Sequence, residues 1–333
     1  QAATVQLTLA DGSARAFPAG VTPRQVAQET GMPVDELVCA TWDGELIDLD
    51  RPLETDGRLG WVDAASDQGL EVIRHSTAHL MAQAIKRLYP EAQLAIGPPV
   101  ENGFYYDIDL ERRLTPEDLE KLEEEMRRIV AEDLPIRREV VATDEARRLF
   151  QELGESYKLE ILAEIDDPTV SLYRQGEFVD LCRGPHVVST GRLGAFKLLN
   201  VAGAYWRGDA QNKQLQRLYG TAFPTQEELE AYLQLLEEAE RRDHRRLGRE
   251  LGLFSLMEEA PGFPFFHPKG MVIRNELEAL WRQEHIRRGY QEIRTPILLS
   301  QELWLRSGHW DHYRENMYFT QIDERPFAVK PMN

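Results

Sequence analysis

At 333 residues the chain is too long for one small domain and allows roughly two to four domains of ~100–150 residues each. Its 39 Lys+Arg against 57 Asp+Glu give a formal net charge of −18, which argues against a general nucleic-acid binder, because phosphate contacts need surplus cations. A hydrophobic fraction of 42% supports buried cores, and no run approaches the ~18 apolar residues of a membrane span. Cys39 and Cys182 are the only cysteines, which is no disulfide framework, and the opening Gln1–Ala10 shows no basic stretch followed by an apolar core. A cytoplasmic, membrane-free protein is the expectation.

Residues 1–63 alternate short strands with turn signals. Thr4–Leu9 has period two, Asp11-Gly12 marks a hairpin turn, and Ala14–Phe17 is the return strand. Thr22-Pro23 supplies an N-cap and a first-turn proline for a helix to Thr30. Val38–Trp42, Glu45–Ile47 and Leu59–Val62 complete a ββαββ order that fits a β-grasp module.

From 64 to 224 the pattern is α+β. An amphipathic helix is expected over Leu70–Leu88, then strand and turn over Ile96–Asp107. A helix capped at Thr115 should run toward Pro135, and residues 170–222 read as mostly strand. Thr225 should cap a charge-laced helix running through Arg246 and forming a linker over 225–250. In 251–333 a helix is expected over Met271–Arg288, followed by a strand over Gly289–Pro296.

Two short segments carry the chemistry. His75 and His79 stand four apart on the Leu70–Leu88 helix, so both imidazoles share one face. Cys182 and His186 flank a Gly-Pro bend that can turn both side chains to one side. Three imidazoles and a thiol make a tetrahedral zinc set by ligand type. The same four can instead line a metal-free pocket in which a histidine polarises water. Spacing alone does not choose.

His75-Ser-Thr-Ala-His79 with Cys182-Arg-Gly-Pro-His186 resembles the editing domain of bacterial threonyl-tRNA synthetases, a class II family. Gly97–Asp107, Gly203–Asp209, Arg242–Gly248, Glu258–Gly262, Ser307–Trp310 and Lys330–Asn333 are similar to further signatures of that family, in the same order along the chain. The resemblance implies a TGS domain (1–63), an editing domain (64–224), a helical linker (225–250) and the opening of an antiparallel-sheet catalytic domain (251–333). It also implies hydrolysis of mischarged seryl-tRNA(Thr). By carry-over, His75 and Lys158 would do the chemistry. His79, Cys182 and His186 would line the pocket, Asp180 would hold the substrate ammonium, and Tyr105, with Tyr106, would wall the amino acid or stack on the terminal adenosine. The family's editing pocket works without metal, so a metal-free site is expected.

For the complete enzyme the resemblance implies ATP, Mg2+ and Zn2+, tRNA(Thr), threonine and serine as substrates, and a homodimer built on the helix and strand ending at Pro296. Of the three motifs of class II synthetases, Met271–Pro296 resembles the first. The second and third, which hold ATP and the adenylate, and the catalytic zinc ligands would lie beyond Asn333, so residues 1–333 are expected not to activate threonine. Two other readings use the same residues: a zinc-dependent hydrolase of small molecules, and a non-catalytic TGS-containing RNA-binding protein. A local excess of cations over 181–220 (Arg183, Arg192, Lys197, Arg207, Lys213 and Arg217 against Asp209) suggests a basic strip for a tRNA acceptor end.

Overall fold

The computed structural model describes residues 3–330; Gln1 and Ala2, and Pro331–Asn333 of the Lys330–Asn333 run, lie outside the described residues. The chain divides into two compact units, 1–238 and 239–333.

The first unit opens with β1 (Thr4–Thr8), β2 (Ala14–Pro18), α1 (Pro23–Thr30), β3 (Leu37–Trp42), β4 (Glu45–Ile47) and β5 (Gly57–Asp63). The strands form one sheet in the order β2-β1-β5-β3-β4, with β1 parallel to β5 and the other pairs antiparallel. Helix α1 starts where its sequence says it should. Thr22 Oγ1 accepts the Gln25 N–H, Gln25 Oε1 accepts the Thr22 N–H, Pro23 occupies the first turn, and Gly31 ends the helix at φ +74°. Val5, Leu7, Val26, Ile47, Leu49 and Leu59 close a small core beneath it.

The next elements are α2 (Asp67–Leu88), β6 (Gln93–Leu94), β7 (Pro99–Val100), β8 (Gly103–Asp109), α3 (Pro116–Glu132), β9 (Ile136–Ala142), α4 (Thr143–Glu152), α5 (Ser156–Ala163), β10 (Thr169–Gln175), β11 (Phe178–Leu181), β12 (Ala195–Tyr205), β13 (Gln214–Phe223) and α6 (Gln226–Arg241). Two antiparallel sheets result, β12-β13-β8-β6 with β7 on β8, and β11-β10-β9. Helix α2 is not the half-exposed amphipathic helix expected. It packs against β8 and β13 as well as α3, so every residue from Val72 to Ile85 is buried except His75. The one gap in that burial is therefore a histidine. Val38, Cys39 and Val62 of the first sheet join the same core as Val72, Ile73 and Ala78 of α2, so the opening module is packed onto the second rather than tethered to it. Residues 136–169, for which the sequence suggested no elements, hold β9, α4 and α5 around Ala146, Phe150, Leu162, Val170 and Leu172.

The second unit contains α7 (His244–Glu250), β14 (Phe254–Leu256), β15 (Pro264–Phe266), α8 (Pro268–Arg287), β16 (Leu298–Ser300), α9 (Gln301–Arg306), α10 (His309–Tyr313), β17 (Phe319–Ile322) and β18 (Arg325–Val329). Strands β14 and β15 pair as a hairpin, and β16-β18-β17 form an antiparallel sheet over Trp304, Met317 and Ala328. Two expectations need correction. The linker helix does not run unbroken through Arg246, because Asp243 leaves the helix and caps α7 by accepting the Arg245 N–H at 2.7 Å. The expected strand over 289–296 is irregular chain; β16 begins only after Pro296, which offers no N–H to a ladder, and Tyr290 and Ile293 are exposed.

Candidate functional site

Helix α2 carries His75 and His79 one turn apart, and the chain leaving β11 brings Cys182 and His186 against them. One ligating atom from each of the four lies within 4.8 Å of all the others. Cys182 Sγ is 3.3 Å from both His75 Nε2 and His186 Nε2 and accepts the Gly184 N–H at 3.3 Å. The His186 ring stands 4.3 Å from those of His75 and His79. Ser76, on the same helix between the two histidines, fixes His186 from behind. Its Oγ is 3.0 Å from His186 Nδ1 and accepts the Val187 N–H at 3.1 Å, so its own proton is free to go to Nδ1.

Lys158 reaches the cluster from α5. That helix is pinned by Glu155, which accepts the Leu94 N–H at 2.9 Å and pairs with Lys86 of α2 at 2.8 Å. Lys158 Nζ lies 2.5 Å from Asp180 Oδ1 and donates to the Tyr106 hydroxyl at 3.1 Å, and Tyr106 in turn donates to Asp180 Oδ2 at 2.6 Å. Lys158, Tyr106 and Asp180 are all buried. Asp180 Oδ1 also accepts the Leu181 N–H, and His79 Nε2 stands 3.7 Å from Oδ2. These groups open onto a cleft of about 830 Å3 whose walls include His75, His79, Tyr106, Lys158, Asp180 and Cys182.

The electrostatics follow from burial. Desolvation lowers His75 to about 4 and His79 to about 3 against a small opposing pull from Asp180, and it drives His186 well below the usual histidine range. All three imidazoles are neutral at pH 7. Burial pushes the Cys182 thiol up to about 12. Burial works to raise Asp180, but the Lys158 charge, His79 and the hydrogen bonds from Lys158 and Tyr106 outweigh it and keep the carboxylate below its ordinary range.

Of the residues expected at the site, the structure gathers His75, His79, Lys158, Asp180 and Cys182 around one cleft, while His186, expected to line it, is buried behind them with Nε2 3.3 Å from Cys182 Sγ. It does not bring Tyr105 there. Adjacent residues on a strand face opposite ways, so Tyr106 enters the cleft while Tyr105 lies against Arg217 (3.9 Å to the ring) and Tyr219. The basic strip is also corrected. Arg192 pairs with Asp35, Lys197 with Glu123, Arg207 with Glu164, Lys213 with Asp109 and Arg217 with Asp107, so five of its six cations are neutralised internally. Arg183 and Arg138, both exposed on the cleft wall, have no ion-pair partner among the described residues. They are the cations available to a ligand.

Gly184 holds the turn between Cys182 and His186 at φ +72°, and a Cβ there would meet the Tyr173 hydroxyl. Gly184→Ala is expected to cost ~1–3 kcal/mol in a thermal melt and to slow the site's reaction. An unchanged melt and rate would show the turn to be adaptable.

Three imidazoles and one sulfur, with one ligating atom of each within 4.8 Å of the others, fit Zn2+ by donor type. His75, His79, Cys182 and His186 would hold it, and a bound zinc would supply Lewis-acid polarisation of water or an ester carbonyl.

Residues 170–219, from β10 through most of β13 and including the Cys182–His186 turn, match the family described as the threonyl and alanyl tRNA synthetase second additional domain. That match spans the segment that carries Asp180, Cys182 and His186. Curated relatives extend the likeness to the rest of the chain. The threonine–tRNA ligase of Carboxydothermus hydrogenoformans is 57% identical over 99% of this chain and 52% of the relative, and that of Acetivibrio thermocellus is 54% identical over the same shares. Among solved structures, the RNA binding domain of threonyl-tRNA synthetase from Cryptosporidium parvum Iowa II is 40% identical, covering 28% of this chain and 23% of that one at a TM-score of 0.27. The chain is homologous along its whole length to threonine–tRNA ligases, and it spans about half the length of the curated relatives it matches.

Proposed function

We propose that the cleft hydrolyses seryl-tRNA(Thr), the mischarged ester that a threonine–tRNA ligase makes when serine takes threonine's place. The observation that carries this reading is the meeting of neutral His75 with the Lys158–Asp180 pair in one cleft, in a chain homologous throughout to such ligases. Serine and threonine differ by one methyl, worth only ~1–3 kcal/mol to a synthetic pocket, so a second site that removes the smaller product is needed.

In the proposed reaction a water attacks the ester carbonyl carbon and gives its proton to His75. Lys158 has two of its three N–H donors engaged by Asp180 and Tyr106, and it turns the third to the developing oxyanion. The bond to the terminal ribose oxygen breaks, that oxygen takes up the proton, and serine and tRNA(Thr) leave. The substrate ammonium sits on the His79 side of Asp180, and His79, Cys182 and His186 shape the pocket. Arg138 and Arg183 face the tRNA end. We read the pocket as metal-free, in keeping with the family resemblance.

In this reading residues 1–63 are a TGS-like β-grasp module, 64–224 the editing domain, 225–250 the linker and 251–333 the opening of a class II catalytic domain. The complete ligase would attach threonine to tRNA(Thr) with ATP, Mg2+ and Zn2+, as a homodimer involving the segment at Pro296. It would work in the cytoplasm; no helix among the described residues is long and apolar enough to cross a membrane.

The test is deacylation of seryl- and threonyl-tRNA(Thr), each with and without a chelator, alongside the zinc content of the purified chain. Seryl ester is expected to be cleaved faster, with no loss on chelation and zinc well below one equivalent. Equal rates for the two esters would overturn the editing assignment. One tightly held zinc on the four ligands would overturn the metal-free reading.

A further inference from the structure

We propose that Asp48, which belongs to the opening module and not to the cleft, is a positioning residue for the Cys182–His186 turn. It stands just after β4, 138 residues from His186 in sequence. Its two oxygens go to two parts of one assembly. Oδ1 accepts the His186 backbone N–H at 2.9 Å, and Oδ2 accepts the Tyr173 hydroxyl at 2.8 Å. Tyr173 then lies over the turn itself, with its ring 4.5 Å from the His186 ring and its hydroxyl where a Gly184 side chain would be.

The placement is rigid. Ile47 and Leu49, on either side of Asp48, are 2% and 1% exposed in the core of the first module. That module shares a second core with α2 through Val38, Cys39 and Val62. No salt bridge to Asp48 forms among the described residues, although the charges of Arg138 and Arg51 act on it from farther off, and its two hydrogen bonds are from the neutral donors on this turn. Charge-assisted acceptance makes such bonds short and directional. An apolar contact could join two modules equally well, but it could not fix the one backbone N–H that carries His186. With Ser76 on Nδ1 and Asp48 on the backbone, His186 is held from two sides, and its Nε2 is aimed at Cys182 Sγ.

The role in catalysis rests on the hydrolytic reading of the cleft, so its test includes readouts that do not depend on that reading. In the full 333-residue chain, Asp48→Ala is expected to lower kcat for seryl-tRNA(Thr) hydrolysis about 10- to 100-fold with KM within about threefold, as a small misplacement of a catalytic set does. The His186 imidazole resonances should shift, and alkylation of Cys182 by iodoacetamide should quicken. Asp48→Asn keeps an oxygen for the His186 N–H and should restore kcat to within about threefold of wild type. Tyr173→Phe, which leaves the Asp48–His186 bond in place, should show a smaller loss and serves if Asp48→Ala does not fold. A merely structural Asp48 would lower the melting temperature but leave kcat, the His186 resonances and Cys182 alkylation of the folded protein as in wild type, and that result overturns the proposal. If the wild-type chain cleaves no ester, the reading of the cleft fails. The His186 resonances and Cys182 alkylation then still decide whether Asp48 positions the turn.

Discussion

Lys158→Ala is expected to remove seryl-ester hydrolysis and to destabilise the fold by about 3–5 kcal/mol. Lys158 and Asp180 have side chains only 4% and 2% exposed, and their charges lie 2.5 Å apart. Deleting one partner of a buried pair leaves the other charge without water or a counter-ion, and that loss accounts for the stability cost. The Tyr106 hydroxyl would still donate to Asp180 but could not neutralise it. Because a stability loss alone would slow any reaction, a double variant separates the two effects. Lys158→Met with Asp180→Asn removes both charges at similar volume and should recover most of the stability, while hydrolysis stays absent. Thermal denaturation and single-turnover deacylation measure the two quantities. Hydrolysis within about tenfold of wild type in folded Lys158→Ala would take Lys158 out of the chemistry.

His75→Ala should separate the same two quantities in the opposite way. A general base contributes about 10²–10⁴ in rate, and a loss of that size is expected. His75 is the one residue between Val72 and Ile85 that is only partly buried, so its truncation should cost the melt less than that of its fully buried neighbours. The pH dependence follows from burial, which lowers His75 to about 4. The free imidazole persists above about pH 5, so the base-dependent rate should be flat from there toward neutrality and fall as pH approaches 4. Stability runs on the same proton. The unfolded imidazole binds it near 6.5 and the folded one only near 4, so the unfolded state holds more protons between those values. Stability therefore falls as pH drops through that window. His79, lowered to about 3, adds to the same slope. A rate that falls by half near pH 6.5 would show His75 to be solvated in the working site.

Much of the fold was legible because its signals are local. Thr22-Pro23, Thr115-Pro116 and Asp11-Gly12 each act within about four residues, and the structure starts α1, α3 and the first hairpin turn at those points. Other elements had no comparable mark. The charged run through Arg246 carries no apolar period in which a break could show, so the cap at Asp243 leaves no mark there. Helices α4 and α5 are short, and they are defined by packing around Phe150 and Leu162.

For the candidate site, residue type and spacing alone named His75, His79, Cys182 and His186, since i, i+4 histidines on a helix must share a face. Lys158 and Asp180 came from the family resemblance, because a lone lysine or aspartate has no signature of its own. Ser76 is one of two polar residues, with Thr77, between the two histidines of one helix, which marks it as a candidate without singling it out. Asp48 and Tyr173 carry no such mark.

What the sequence determined by itself was the inventory of reactive groups and the short-range geometry that pairs them, since capping and periodicity depend only on neighbours along the chain. The tertiary structure decided which of those groups are in play. It turned Tyr106 and not Tyr105 into the cleft, although alternation only says that the two must differ. It also paired five cations of the 181–220 strip with acids as far off as Asp35, 157 residues from Arg192, leaving Arg183 unpaired there. Burial and charge pairing are set by contacts between distant segments, and such contacts leave no period in the sequence to read.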